Sequence, residues 1–221
     1  MPRITHLVYA GIATLLSGIS PAVYAAPATF DAALRTIQAE WAAANYATPE
    51  SERAAAVDKL IVRATALTSQ NPQRAEALIW AGIVLSTAAD LKGGLGRLSL
   101  AEQAREKLDA ALAIDATALD GSAYTSLGTL YHKVPGFPIG FGNDKKAKEY
   151  LRKALEINPD GIDPNYFYAE FLYDDNDYTG ALQYLEKALK APPRPGRASA
   201  DEGRRQDLQK LMARVRKKLT S

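Results

Sequence analysis

The chain has 221 residues, with 27 Lys and Arg against 25 Asp and Glu. That balance gives no general case for nucleic acid or an anionic membrane surface as partner. Cysteine is absent, which excludes disulfides, a thiol nucleophile and a Cys/His zinc site, so the fold must hold together by packing alone.

The first stretch has three parts. Met1–His6 carries Arg3 as its only fixed positive charge, Leu7–Ile19 is uncharged and mostly apolar, and Val23-Tyr24-Ala25 follows Pro21 with small residues at the spacing of a cleavage site. This is the layout of a secretory signal peptide, residues 1–25, cut after Ala25. Its apolar core is about 13 residues, short of the ~20 that a membrane span needs. An uncleaved anchor or a buried helix is the alternative. No Cys follows, so no lipid anchor attaches. The reading is an exported, soluble mature chain, residues 26–221, in a single helical repeat domain.

From there on, apolar residues recur at three- and four-residue steps, the period of helices, and no strand alternation is visible. Residues 26–72 read as a degenerate pair, with helices near Phe30–Asn45 and Glu50–Thr68 and a stop at Asn71-Pro72. Residues 73–116 form a clearer unit, with Ala81-Gly82 and Leu85 on its first helix and Ala104, Leu108 and Ala111 on its second. Residues 117–159 repeat it with Leu127-Gly128, Tyr131, Ala147, Leu151, Ala154 and Pro159. Residues 160–193 repeat it again with Tyr168-Ala169, Leu172, Ala181, Leu185, Ala188 and Pro193. The last two second helices stand in a register of 34 residues, the tetratricopeptide period. Small side chains let the two helices of a pair approach, and large ones fill the gaps between them. The predicted fold is therefore all-α, a tetratricopeptide-like α-solenoid of three to four helical pairs. After Pro192-Pro193-Arg194-Pro195-Gly196, a helix over 201–219 carries Leu208, Leu211, Met212, Val215 and Leu219 as one stripe. It is expected to cap the last repeat, with Arg204, Arg205 and its other basic residues mostly on the far side; the alternative is a basic docking surface for an acidic partner.

Two units depart from the period between their helices. The 117–159 unit gains seven residues there and the 73–116 unit ten, the latter containing Lys92-Gly93-Gly94-Leu95-Gly96. Both insertions are expected in equivalent turns, projecting from one edge as a joint lip. In Lys133–Asp144, two prolines restrict the backbone and three glycines free it, while Phe137, Ile139 and Phe141 add bulk that a solvated linker does not need. These side chains either tuck the insertion onto the scaffold or line a recognition surface, and both readings stand.

The catalytic inventory is poor. His132 is the only histidine after His6, and no Ser sits on a strand–turn–helix elbow. Asp174, Asp175 and Asp177 lack the Gly and Glu of a calcium loop, and Gly93-Gly94-Leu95-Gly96 lacks the Lys-Ser/Thr of a phosphate loop. No catalytic residue, metal site or cofactor is assigned. Binding is assigned instead. Positions 2, 5, 9 and 12 of a tetratricopeptide first helix face the concave groove, which places Asp163, Tyr166, Glu170 and Tyr173 there, with Ser122, Thr125, Thr129 and His132 in the preceding unit. The candidate partner-binding residues are Tyr166, Glu170, Tyr173, His132 and Thr129 on that face, and Pro135, Phe137, Ile139, Phe141 and Leu95 on the lip. The alternatives for the face are ordinary helix surface or packing against the terminal helix.

Several stretches resemble a particular family: Lys92–Gly96, Asp120–Gly128, Val134-Pro135-Gly136-Phe137-Pro138-Ile139-Gly140-Phe141-Gly142, Asn158–Tyr168 and Ala191–Arg197. They are similar to the T-component family associated with TRAP transporters (tripartite ATP-independent periplasmic transporters), over about Ala75 to Leu219. The resemblance implies a bacterial periplasmic protein that engages a protein partner, the solute-binding component of the transporter. It also implies the alternative of a carrier for a small hydrophobic or organic solute, with an apolar cavity near Phe137 and Phe141. Nucleic acid is not expected as a partner, and a homo-oligomer is left open.

Overall fold

The computed structural model describes residues 29–220; the expected signal peptide lies outside the described residues. Among them, nine helices follow in order: α1 (Phe30–Tyr46), α2 (Glu50–Gln70), α3 (Ala75–Leu91), α4 (Leu95–Ile114), α5 (Ala118–Lys133), α6 (Asp144–Ile157), α7 (Ile162–Asp174), α8 (Tyr178–Leu189) and α9 (Ala198–Leu219). The fold is an all-α solenoid of four helical pairs and a terminal helix.

Small residues make the pairs. Ala104, Leu108 and Ala111 on α4 are fully buried, and so are Ala147, Leu151 and Ala154 on α6 and Ala181, Leu185 and Ala188 on α8. A Cβ on Gly82 of α3 would lie 2.6 Å from Leu108 Cγ, and one on Gly128 of α5 would lie 2.6 Å from Leu151 Cγ. The same glycine thus admits the same leucine in two successive pairs. Polar side chains start three of the helices, α1, α6 and α8. The oxygens of Thr29, Asn143 and Asp177 each accept from a backbone N–H three residues on, at Ala32, Lys146 and Gly180, satisfying donors that a helix start leaves orphaned. The fully buried Asn165 donates to the carbonyls of Pro159 and Gly161 and pins the α6–α7 turn.

The two expected insertions turn out differently. Between α5 and α6 the extra residues do form a loop, 134–143. Between α3 and α4 they do not: only residues 92–94 separate the two helices. The added residues lengthen the helices, because Leu95–Ile114 is rich in Leu, Ala, Glu, Arg and Lys, which favour helix. Gly94, at φ +66°, makes the break. Leu95 opens α4, and its side chain lies outside the described residues. The two segments nevertheless meet, since a Cβ on Gly140 of the loop would lie 3.1 Å from Leu98 Cδ1 on α4.

The terminal helix does more than cap. Leu208, Leu211, Met212 and Val215 are buried, as the stripe predicts, while Leu219 at its end is exposed, and Arg205 donates to the last carbonyl of α8, at Leu189, and to that of Ala191 beyond it. But α9 also packs on α7 and on α1. The first helices of the pairs touch in succession, α1 on α3, α3 on α5, α5 on α7 and α7 on α9, and α9 closes onto α1. The superhelix is a closed ring. Its seam is tight, with Gly203 so near the Tyr46 ring that a Cβ would overlap it. Around it run Ala39, Ala42, Ala43, Ala47 and Ala198.

Candidate functional site

Closing the ring fills the concave face near α7. Arg204 of α9, expected on the solvent side, is buried instead. It donates through Nε to Asp163 at 2.8 Å and through Nη1 to Asp207 at 3.3 Å. Its guanidinium lies 4.5 Å from the Tyr166 ring centroid and 4.6 Å from that of Phe167. Arg194, in the linker before α9, donates to both Asp163 and Asp201. Burial pushes the Asp163 carboxyl up, and the Arg204 and Arg194 guanidiniums more than reverse this, holding it at about 2. Burial pushes the Tyr46 phenol up to about 12 against the lowering effect of Arg204, and burial together with Glu170 raises Tyr166. Both phenols stay neutral in this cluster.

The concave-face candidates therefore fall into two groups. Asp163 and Tyr166 are taken by α9, and Tyr173 is capped by Arg214 of α9 at 4.5 Å. Thr129 spends its hydroxyl on the carbonyl of Thr125 within α5. Glu170 and His132 lie at the rim and join a charged cluster. Lys133 Nζ stands 3.4 Å from Glu170 and 3.1 Å from Asp174. His132 stands 3.2 Å from Asp144 through Nδ1 and 2.9 Å from Asp174 through Nε2, with its ring edge against Phe171. Burial raises the Asp174 carboxyl, but hydrogen bonds from His132 and Lys133 bring it below its ordinary value.

This cluster is the base of the loop. Leaving α5 after Lys133, the chain folds back on itself. Ile139 and Gly140 donate to the carbonyl of Gly136, Gly142 donates to that of Pro135, and Asn143 donates to Tyr131 of α5. Phe141 answers one of the two readings of the insertion. It is half-buried, edge-on to Tyr131 and stacked under Arg105 of α4 at 4.3 Å. Phe137 and Ile139 answer the other: they are 94% and 70% exposed, beside an exposed Pro135 and Pro138. The loop is a braced platform with an apolar tip. Charges of both signs lie at its foot, with Lys133, Lys146 and Arg105 set against Asp109, Asp144 and Asp174.

A tip that faces solvent lines no enclosed space. Of the two clefts that stand out, one is bounded by Arg152, Leu155, Glu156, Pro159, Tyr184 and Lys187 and the other follows the α1–α9 seam. Neither includes Phe137 or Phe141. Among the described residues, no group of three or more His, Asp or Glu side chains is placed to hold a metal ion, and no helix is long and apolar enough to cross a membrane. Sequence reasoning passed over Asp163 and Arg204 as partners. Their only signal was a carboxylate at a groove position and an arginine at the edge of an apolar stripe.

The tetratricopeptide repeat family matches residues 141–200, the stretch from Phe141 through α6, α7 and α8 into the start of α9. No curated protein sequence matches the chain. Among solved structures, the thermophilic tetratricopeptide protein TTC0263 of Thermus thermophilus is similar at a TM-score of 0.56 and 17% identity, over 87% of this chain and 91% of that one. MamA gives 0.45 and 18%, over 77% and 93%. PilF of Pseudomonas aeruginosa gives 0.35 and 16%, over 84% and 90%. The chain is a tetratricopeptide-like α-solenoid, and the matched family is a repeat scaffold with no catalytic signature.

Proposed function

We propose that this protein is a periplasmic adaptor that binds a partner protein through the tip of loop 134–143, and that the partner is the solute-binding component of a TRAP-type transporter. The observation that carries the adaptor reading is the exposure of Phe137 and Ile139 on a loop fixed by backbone hydrogen bonds and by the buried edge of Phe141. An exposed aromatic on a rigid support contributes contact area at small entropic cost. A polar rim of both signs around an apolar centre is the composition of a protein interface. An anionic lipid surface calls for a rim of one sign. The tetratricopeptide-like scaffold supports partner binding in general. The resemblance of Val134–Gly142 to the T-component family supports the transporter partner, and Leu7–Ala25 supports export.

The test is direct binding. Purified wild-type protein and the double variant Phe137→Asp/Ile139→Asp are titrated with a purified TRAP-type solute-binding protein from the same genome. The expected loss is at least about 30-fold, the scale of a central hot spot. Equal binding by the double variant sinks the assignment to the tip. No binding by wild type sinks the transporter partner. Amino-terminal sequencing of protein from a periplasmic fraction checks export, with Ala26 expected first.

A further inference from the structure

We propose that His132 is a proton-operated latch at the foot of the loop, fixing the tip when the imidazole is charged and loosening it when the proton leaves. Its biological use rests on the adaptor reading; its geometry does not. His132 stands one residue before the end of α5, where the loop departs, and Asp144 is the first residue of α6, where it returns. The imidazole joins the two, with Nδ1 3.2 Å from Asp144 Oδ1 and Nε2 2.9 Å from Asp174 Oδ2 at the end of α7. Its side chain is only 14% exposed.

Both contacts end on carboxylate oxygens, which accept and do not donate when ionised. An imidazolium donates from both nitrogens and satisfies both carboxylates. A neutral ring donates from one nitrogen and turns a lone pair toward the other carboxylate, so one contact is lost. The surrounding charges decide which. Asp174 and Glu170 face the site from α7, Lys133 from α5 and Asp144 from α6. Lys133 Nζ lies 3.1 Å from Asp174, so Asp174 keeps a cation in either state. Asp144 has no second cation among the described contacts, and its side chain is 78% exposed, free to turn to water. Loss of the proton therefore frees the return end of the loop. The bond from Asn143 to the Tyr131 carbonyl, 2.8 Å, remains as its tether. The loop loosens without unfolding.

The chain suits the experiment, because it has two histidines, His6 and His132, and cleavage after Ala25 leaves one. Uniformly ¹⁵N-labelled mature protein is followed by NMR and by amide exchange from pH 5 to 8.5, with the His132 ring protons and the amides of Gly136, Phe137, Ile139 and Gly140 read together. The expected result is one shared midpoint. Opening of the loop should rise about threefold above it, the scale of a single partly exposed ion pair. His132→Gln should abolish the dependence. Asp144→Asn, at an exposed side chain, should leave the ring titrating while the loop amides stop following it. Loop amides that ignore pH, that follow a midpoint other than that of His132, or that titrate unchanged in Asp144→Asn overturn the latch. Each of those results leaves the exposed tip and the adaptor reading where they stand, since partner binding is read in a separate titration.

Discussion

Arg204 Nε donates to Asp163 Oδ1 across 2.8 Å, and that bond joins the last helix of the chain to the inner wall of the last repeat. A charge this deep is tolerable only because it is paired. Removing Asp163 leaves the buried Arg204 only its longer contact to Asp207, at 3.3 Å, at a cost of about 1.5–3 kcal/mol, the scale of a hydrogen bond to a charged group. Asp163→Ala is therefore expected to lower stability by that order in urea unfolding. Asp163→Ala/Arg204→Met, which removes both charges and keeps the bulk under Tyr166, should recover most of the loss. If the single and double variants unfold alike, the pair is not what holds α9 in place.

The same pair sets an acid limit. The Asp163 carboxyl, ordinarily 3.8, sits at about 2 in the fold. A depressed carboxyl contributes stability that is complete above its unfolded value and disappears as pH falls through its folded value. The contribution is on the order of 2 kcal/mol. It should fade from about pH 4 to pH 2. Asp163→Asn should flatten that part of the stability profile, and urea midpoints measured at half-unit steps of pH check it.

At the seam, Gly203 allows α9 to meet the Tyr46 ring of α1. Gly203→Val puts a branched side chain where the ring lies and should cost about 1–3 kcal/mol through overpacking. Tyr46→Ala in the same chain should return part of it. A Gly203→Val protein with an unchanged melting temperature contradicts a closed seam.

The loop divides its aromatic residues between two tasks, and stability separates them. Phe137→Ser and Ile139→Ser remove exposed groups and should move stability by no more than about 0.5 kcal/mol. Phe141→Ala takes away the contact with Tyr131 and Arg105 and should cost about 1–3 kcal/mol, short of a fully buried aromatic because the ring is only half covered. Thermal unfolding of the three variants side by side measures the contrast.

Much of the fold was legible in the sequence because close packing leaves a local mark. Gly82 and Gly128 each stand three residues before a large one, Leu85 and Tyr131, and Ala147 and Ala181 each four before Leu151 and Leu185, since each small residue admits a neighbouring helix, and such spacing is readable without coordinates. The α3–α4 insertion was misread because Gly93-Gly94-Leu95-Gly96 looks like a turn. A single positive φ at Gly94 sufficed for the break, and the rest of the insertion went into helix. The partner of Asp163 was hidden for a different reason. That a groove position of α7 faces inward follows from one repeat. That α9 arrives opposite it depends on the small rotation between units summed over the whole chain, which no single repeat encodes. The two fates of the loop aromatics were likewise undecidable from spacing, since Phe137 and Phe141 sit in similar Pro/Gly surroundings and differ only in whether Tyr131 and Arg105 lie within reach.

The contact of α9 with α1 also bears on how such a chain grows and gives way. An open solenoid is a spring: units add at either end, each end frays first, and the coil stretches by small changes at every joint. Here the two ends are fastened to each other. Another pair of helices cannot be spliced in without parting Gly203 from Tyr46, so the number of units is fixed by geometry. With α1 and α9 holding each other, the ring should open as one event and not pair by pair.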